Sequence, residues 1–318
     1  MKLIIQIPCY NEEKTLGLVL SELPKKLDGI DIIETMIIDD GSSDKTLEIA
    51  KKYKVNYVVK HIGNKGLGNS FKTGVEKALL EGADILVNTD GDNQYPSKYI
   101  KDLIKPIVDK ESDFVIGDRQ TSKISHFSLI KKILQYVGSF MVRFLSGTKV
   151  PDSVSGFRAY SRECLLKLNV TSDFSYAVDT LVQAGSKRIK ITAIKIQTNS
   201  PTRPSRLFKN IWQHIYKTTS ILFRTYSMYN PIRLFFVFGS IFFTFGVIII
   251  GRFLYYYYLN PVDTGKIQSL ILAAIFVIIS VQFFALGIVG DLIAKNRKLI
   301  EDNLYYSKKQ YFDKNKAL

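Results

Sequence analysis

The chain has 318 residues, with 44 Lys and Arg against 29 Asp and Glu, and therefore a net charge of +15. This positive excess indicates a polyanionic neighbour, such as nucleic acid, an anionic membrane face or a phosphorylated substrate. An apolar content of 46% excludes a disordered chain. Two cysteines and no Cys/His cluster exclude a disulfide scaffold and a structural zinc protein.

The first two thirds of the chain alternate short apolar runs with helical patterns. Strands are predicted at residues 3–7, 35–38, 55–59, 85–88 and 114–116, and helices near 16–23, 44–52, 68–81 and 97–109. This alternation is typical of an α/β fold, with a mostly parallel sheet and helices on both faces. Ligands of such sheets bind beyond the carboxyl ends of the strands.

Polar clusters follow each of the five predicted strands. They are Pro-Cys-Tyr-Asn-Glu at 8–12, Asp-Asp-Gly-Ser-Ser-Asp at 39–44, Asn-Lys-Gly-Leu-Gly at 64–68, Asp-Gly-Asp-Asn-Gln at 90–94 and Gly-Asp-Arg at 117–119. Each cluster alone is typical of a turn or a helix cap. Five of them in this order, all at strand ends, indicate a ligand site.

The pair Asp90 and Asp92 gives the sharpest chemical signal. Two carboxylates separated by one glycine can hold a hard divalent cation, and Gln94 offers an amide oxygen nearby. Mg²⁺ or Mn²⁺ bound there would neutralise a departing diphosphate. A plain Asp-Gly turn is the alternative, and it explains the bend but not the whole polar run.

The motifs in this order resemble those of the GT-A family 2 glycosyltransferases. They read Pro-x-Tyr-Asn-Glu, Asp-Asp-Gly-Ser-x-Asp, Asn-x-Gly-x-Gly, Asp-x-Asp-x-Gln, Gly-x-Arg and Ser-Gly-Phe-Arg. Within that family the chain is most similar to the polyprenyl-phosphate hexose synthases, the group of the dolichol-phosphate mannose and bactoprenol glucosyl transferases. The resemblance covers about residues 1–205 and implies a GT-A (Rossmann-like) catalytic domain.

The resemblance also implies a role for individual positions. It implies nucleotide-sugar binding by Pro8, Tyr10, Glu12, Asp40 and Asp90, and a metal site at Asp90, Asp92 and Gln94. It implies catalytic roles for Asp90, Asp92, Asp152 and Arg119. Contact with the acceptor phosphate is implied for Arg119, Arg203 and Arg206. Two positions depart from the family, because Ser97 and Asp179 stand where it usually has Glu. The metal implied is Mg²⁺ or Mn²⁺.

The expected reaction transfers a hexose from UDP-glucose or GDP-mannose to undecaprenyl or dolichyl phosphate, with inversion. A phosphate monoester has its second pKa near 6 and is already nucleophilic at pH 7. Asp152 is therefore predicted to have a positioning role rather than to abstract a proton. The alternatives are transfer to a sugar or lipid hydroxyl and a non-catalytic scaffold that binds nucleotide sugars. A processive synthase lacks support, because the only tryptophan, Trp212, is not in a Gln-x-x-Arg-Trp motif.

Two long apolar stretches predict a transmembrane hairpin. Residues 234–251 contain no charge over 18 positions, and residues 267–290 contain none over 24. About 20 helical residues cross a hydrocarbon core, so spans are predicted at about 234–254 and 267–290, with a pair of buried soluble helices as the alternative. Gly239 and Gly246 would permit close helix contact, which leaves a homo-oligomer open.

The expected organisation follows from these patterns. It comprises a catalytic domain at 1–203, an amphipathic juxtamembrane region at 204–230, the two spans within 231–293 and a basic tail at 294–318. Basic residues flank the outer ends of the hairpin, so the positive-inside rule predicts a multi-pass membrane protein with its catalytic domain and both termini in the cytoplasm. No nucleic-acid-binding module is evident, and the expected partners are the nucleotide sugar, the lipid phosphate and the bilayer.

Overall fold

The structure is a computed structural model that describes residues 1–120, 138–143, 146–170, 176–200, 219–220, 223–224, 226–259 and 267–316. The chain divides into two compact units, one of Met1–Leu222 with Asn303–Leu318 and the other of Phe223–Asp302. We call them the sheet unit and the hairpin unit. Arg203, Arg206, Trp212 and most of the predicted juxtamembrane helix lie outside the described residues.

The described elements of the sheet unit confirm the predicted alternation of strands and helices. In chain order they are β1 Lys2–Cys9, α1 Leu16–Glu22, β2 Ile32–Asp39, α2 Thr46–Lys52, β3 Tyr57–Lys60, α3 Leu67–Leu80, β4 Ile85–Asn88, α4 Ile100–Val108, β5 Phe114–Asp118, β6 Arg158–Ser161, α5 Arg162–Lys167, α6 Tyr176–Ser186 and β7 Ile191–Lys195. The first five strands and the four helices between them are those that the sequence predicts.

Seven strands form one sheet in the order β3-β2-β1-β4-β6-β5-β7. All neighbours are parallel except β6, which runs antiparallel to both β4 and β5. The register places Cys9 beside Asp39 and Gln6 beside Asn88, so the chain leaves β1, β2 and β4 at the same edge. The mostly parallel α/β sheet is thus confirmed, while β6 and β7 are strands that the sequence reading did not predict.

Helices bury both faces of the sheet, which is why the central strands β1 and β4 are mostly apolar. Residues 3–7 of β1 are fully buried. On one face α4 packs through Ile100, Leu103, Ile104 and Ile107, which share one side of the helix at spacings of three and four residues. Burial of this kind stabilises the unit by about 25 cal/mol for each Å² of apolar surface removed from water.

The hairpin unit contains two long helices, α7 Pro231–Leu259 and the first part of α8 Ile267–Lys316. Both are long and apolar enough to cross a membrane. They approach each other closely at Gly239, where a Cβ would lie 2.6 Å from Phe284, and at Gly246, where it would lie 2.9 Å from Val277. These two glycines therefore serve the contact between helices of one chain.

Candidate active site

The loops after β1 and β2 are joined by hydrogen bonds. The Asn11 side chain accepts from the backbone N–H of Ser43 at 2.8 Å, and the Asn11 N–H donates to Ser42 Oγ at 2.9 Å. Asn11 has a φ of 57°, a left-handed conformation that Asn tolerates better than most residues. The next residue, Glu12, donates its backbone N–H to Thr46 Oγ1 at 2.8 Å. The two loops thus form one rigid edge of the site.

The predicted nucleotide-binding residues at the end of β1 lie on this edge. Pro8 is buried within β1, whereas Tyr10 is 40% exposed. Glu12 is buried and accepts a hydrogen bond from Thr15 Oγ1 at 3.1 Å. Tyr10 is the residue of this set with the surface to stack on a nucleoside base.

Asp40 shapes the loop that follows β3. Its Oδ1 lies 2.7 Å from His61 Nδ1 and 2.9 Å from the donating N–H of Lys65, and its Oδ2 accepts from the N–H of Gly66 at 2.9 Å. Gly66 has a φ of 90°, which a side chain would strain. Sequence reasoning missed His61, whose only signal is a histidine between a strand and a glycine-containing helix start.

The loop that carries Asp90 and Asp92, which we call the acid pair, is held by hydrogen bonds from two sides. Thr15 Oγ1 donates to the Gly91 carbonyl oxygen at 2.7 Å, and the Asn199 N–H donates to the Gln94 carbonyl oxygen at 2.9 Å. Within the loop, Asp92 Oδ1 accepts from the Gln94 N–H at 3.1 Å. Asp92 and Gln94, predicted as metal ligands, are therefore brought together on a short, anchored turn.

The donor chemistry of this turn fits a hard divalent cation. Asp90, Asp92 and Gln94 supply carboxylate and amide oxygens, which are the ligands of Mg²⁺ and Mn²⁺. A Cβ at Gly156 would lie 3.0 Å from Asp90 Oδ2, so the glycine keeps the space beside this carboxylate open. In the described parts of the chain, no three His, Cys, Asp or Glu side chains gather into a complete metal cluster. Such a site would complete its coordination with substrate phosphates.

Arg119 and Asp152 form a two-point ion pair across 33 residues of sequence. Arg119 Nε donates to Asp152 Oδ2 at 2.6 Å and Nη2 donates to Oδ1 at 2.9 Å. Burial acts to raise the pKa of Asp152, but the charge and hydrogen bonds of Arg119 outweigh it and hold this pKa below its usual value. A carboxylate held in this way is a weak base and a firm support for the guanidinium.

Tyr95 is hydrogen-bonded to Gly156, the glycine beside Asp90, and the charges of the Arg119–Asp152 pair act on it. Its hydroxyl oxygen accepts a hydrogen bond from the Gly156 N–H at 3.1 Å. Burial raises the pKa of Tyr95 to about 12, and the charges of Arg119, Asp90 and Asp152 all act on it. The charges of three residues that are separated in sequence thus act on one protonated phenol, a residue that sequence reasoning passed over.

A buried polar network supports the loop behind Asp90. Asn88 accepts from Gln6 Nε2 at 3.2 Å and donates from Nδ2 to Tyr176 Oη at 2.7 Å and to the Gly156 carbonyl oxygen at 2.9 Å. The Tyr176 ring stacks on Phe71 with ring centres 4.0 Å apart. Because all these groups are buried, an unmade hydrogen bond would be costly, and the network fixes Gly156 in place.

The structure explains the Ser-Gly-Phe-Arg motif through Arg158. This side chain is completely buried, and its guanidinium donates to the carbonyl oxygens of Ser153, Ser155 and Ala177 and to Thr180 Oγ1, at 2.6–2.9 Å. The first two acceptors belong to the loop after Asp152, and the last two belong to α6. Arg158 therefore fastens the Asp152 loop to a helix.

Cys9 lies directly beneath the acid-pair loop. A Cβ at Gly91 would lie 3.1 Å from Cys9 Sγ, and the thiol contacts the Ile7 carbonyl oxygen at 3.5 Å. Burial first, and then the charges of Glu12 and Asp39, raise the pKa of the Cys9 thiol well above its usual value. The other cysteine, Cys164, is also buried with a raised pKa. Both thiols are packing groups.

Proteins of known name that the chain resembles include two polyprenyl-phosphate transferases and one solved structure. It is 31% identical over 214 residues to the UDP-N-acetylglucosamine–dolichyl-phosphate N-acetylglucosaminyltransferase of Methanococcus voltae, covering 60% of this chain and 83% of that protein. It is 25% identical over 206 residues to the undecaprenyl-phosphate mannosyltransferase of Micrococcus luteus, covering 62% and 83%. The glucosyl-3-phosphoglycerate synthase of Mycobacterium tuberculosis, solved with Mn²⁺, UDP-glucose and phosphoglyceric acid, has the same fold, with a TM-score of 0.53 at 19% identity over 71% of this chain and 78% of that one.

The family itself is settled by a match to just over half of the chain. Residues 4–168 of the 318 match the model of glycosyl transferase family 2. The match begins in β1, contains the acid pair and the Arg119–Asp152 pair, and ends just beyond α5. The chain therefore belongs to glycosyl transferase family 2.

Proposed function

We propose that this glycosyltransferase moves a hexose from a nucleoside diphosphate sugar, UDP-glucose or GDP-mannose, to a membrane polyprenyl phosphate with inversion at the anomeric carbon. The observation that carries the proposal is that the anchored turn of Asp90 and Asp92 follows β4 and the Arg119–Asp152 ion pair follows β5, at the same carboxyl edge of the sheet. A cation at Asp90 and Asp92 would suit the diphosphate that leaves, and Arg119 would suit the phosphate that attacks.

The donor side rests on the edge formed by the first two strand ends. Tyr10 would stack on the base, while Pro8, Glu12 and Asp40 shape the walls of this region. Asp90, Asp92 and Gln94 would hold Mg²⁺ or Mn²⁺. The cation would supply charge that stabilises the departing diphosphate. The chain itself supplies the anchored turn that keeps these oxygens together.

The acceptor side rests on Arg119. Asp152 holds its Nε and Nη2, so Nη1 is the part of the guanidinium that would face a phosphate. An ionised lipid phosphate needs no proton removed, which agrees with an Asp152 whose pKa is lowered. The proposed role of Asp152 is to aim Arg119, and Arg203 and Arg206 would add charge from the region before the hairpin.

The membrane supplies the acceptor. Two helices of the hairpin unit are long and apolar enough to span it, and both curated relatives described above are named for polyprenyl phosphates. We assign residues 1–203 to the catalytic domain, 204–230 to a juxtamembrane helix region, 231–293 to the spans and 294–318 to a tail. The catalytic domain and both termini would lie in the cytoplasm.

The test uses the full chain in vesicles that contain undecaprenyl or dolichyl phosphate. UDP-glucose, UDP-N-acetylglucosamine and GDP-mannose are offered separately, and the extracted lipid is identified by mass and by NMR of its anomeric centre. We expect polyprenyl-phosphate hexose of inverted configuration from one donor. Asp92→Asn should lower the rate by at least about a hundredfold, whereas Asp28→Asn, at an exposed position, should not.

Each other outcome rejects a stated part of the proposal. A retained configuration rejects inversion, an N-acetylhexosamine product rejects the hexose, and sugar on a lipid or sugar hydroxyl rejects the phosphate acceptor. Full activity of the wild-type chain in EDTA rejects the cation. Nucleotide binding without turnover of any donor would leave the non-catalytic scaffold as the function.

A further inference from the structure

The last turns of α8 pack on the sheet unit, far along the chain from any motif of the family. Tyr305 Oη donates to Glu163 on α5 at 2.8 Å, and Arg162 Nη2 donates to Asp313 at 3.0 Å. Phe312 is only 7% exposed. We call residues 303–316 the docked end of α8. It is part of the sheet unit although it continues the helix of the hairpin unit.

One face of the docked end makes these contacts. Positions 305, 308 and 312 are spaced three and four residues apart and so share a side of the helix, and Asp313 lies at the border of this side. Tyr306 and Tyr311, on other sides, are 68% and 59% exposed. The docked end therefore packs on the rest of the sheet unit through one face and leaves aromatic side chains exposed elsewhere.

Lys308 reaches a turn that leads to the site. Its Nζ donates to Asn169 Oδ1 at 2.6 Å and to the Leu168 carbonyl oxygen at 3.3 Å. The backbone of Asn169 is bonded twice to the Gln183 side chain, at 2.9 Å from its N–H and at 2.6 Å to its carbonyl oxygen. Gln183 is completely buried on α6 and also donates to Asp179 at 2.9 Å.

The same helix α6 holds the loop behind the acid pair. Tyr176, at its first turn, bonds Asn88 and the Gly156 carbonyl oxygen, and Thr180 on the next turn accepts from Arg158. Gly156 in turn lies against Asp90. A continuous set of hydrogen bonds therefore runs from Lys308 through Asn169 and α6 to the residue that keeps the Asp90 carboxylate accessible.

We propose that Lys308 is a positioning residue for the transfer reaction, which it serves by fixing Asn169 and, through α6, the loop of Gly156. The docked end of α8 is then a working part of the catalytic unit and more than a connection to the hairpin. The effect on rate rests on the transferase activity proposed above. The effect on the order of α6 does not, so the two can fail separately.

The test compares Lys308→Met with Lys308→Arg and with Lys314→Met, a lysine at an exposed position of the same helix. All are made in the full chain and assayed in vesicles with saturating donor and lipid phosphate. We expect Lys308→Met to lower kcat by about five- to twentyfold, since small displacements of positioned groups cost this much or more. The donor KM should stay within about twofold, because Lys308 bonds the turn at 168–169, whereas the donor loops are held by their own hydrogen bonds. Lys308→Arg should restore most of the rate.

A second comparison asks whether Lys308 acts through Asn169. Asn169→Ala should cost a similar factor, and the double variant should be no slower than the slower single variant. Hydrogen exchange of the peptide at 176–186 should speed up in Lys308→Met and stay unchanged in Lys314→Met.

The proposal is overturned if Lys308→Met keeps the wild-type kcat, if the losses of the two single variants multiply, or if α6 exchange is unchanged. A loss that Lys308→Arg does not restore, accompanied by an equal loss of folded protein, would show a structural role only and would overturn it too. If the wild-type chain transfers no sugar, the proposed function fails and the exchange experiment alone decides this inference.

Discussion

The sheet unit and the hairpin unit place their apolar residues in opposite ways. In the sheet unit, α4 buries Ile100, Leu103, Ile104 and Ile107 against the strands. In the hairpin unit, the most apolar windows of α7 and α8 are only 11% and 17% buried inside the structure. Aromatic and aliphatic side chains such as Phe245, Ile248 and Ile278 are about half exposed or more.

The difference shows that the two units are built for different solvents. Each Å² of apolar surface left in water costs about 25 cal/mol, so the exposed faces of the hairpin are unfavourable unless lipid covers them. The sheet unit also buries polar side chains. The sheet unit buries Asp152, Arg158 and Asn88 and gives each of them hydrogen-bond partners, as buried polar groups require.

A charge on an exposed apolar side chain gives the largest expected contrast between the units. Ile248→Lys on α7 should cost about 3 kcal/mol of membrane insertion, because a lysine near the middle of a span is poorly accommodated. Ile62→Lys, at a fully exposed position of the sheet unit, should cost nothing. The measurement is the fraction of each variant retained in alkali-washed membranes. Equal retention would contradict the lipid-facing assignment.

The contact between the two hairpin helices gives a smaller effect. Gly246→Leu would push against Val277 Cγ2 and the Ala273 carbonyl oxygen, which lie 2.9 and 3.3 Å from the position of its Cβ. We expect about 1–3 kcal/mol of destabilisation, the usual cost of overpacking. Gly251→Leu is the matched control, since no atom lies within 4 Å of that Cβ. Thermal unfolding in detergent should separate the two variants, and identical midpoints would refute the close approach.

The pH dependence of transfer distinguishes a held Asp152 from a catalytic base. Its lowered pKa keeps the Arg119–Asp152 pair intact above the usual pKa of aspartate, and the contribution of this pair to stability disappears only as the pH falls below that range. The acceptor phosphate, with a second pKa near 6, should instead set the acidic limb, with about a tenfold loss for each pH unit below it. The residual activity of Asp152→Asn should show the same limb. A limb that vanishes in this variant would make Asp152 the base.

Most of the parallel part of the fold could be predicted from the sequence, because β1, β2, β4 and β5 are short apolar runs with polar ends; the parallel β7 was not predicted. The antiparallel β6 could not, since its four residues Arg-Ala-Tyr-Ser have no apolar periodicity. It pairs with two strands that precede it by tens of residues. Such long-range pairing leaves no local signal.

The same limit applies to the site. Asp90 and Asp92 share one turn, so their spacing alone predicted a joint role. The structure shows that the Gln94 N–H closes this turn onto Asp92, and the joint role itself stays a prediction. Asp152 lies 33 residues from Arg119, and the two-point contact between them follows only from the tertiary fold. Asp40 was expected at the nucleotide, and its carboxylate also holds the loop after β3. The same carboxylate also contacts His61, which no motif contains.

The burial of both thiols has a practical consequence for labelling. Cys9 and Cys164 are inaccessible and disfavoured as thiolates, and maleimides and methanethiosulfonates react with thiolates. The native chain thus already offers a nearly silent background, so that a single cysteine placed at a chosen surface position would carry a fluorophore or spin label by itself. Distances between sheet and bilayer could then be measured on an otherwise unaltered protein.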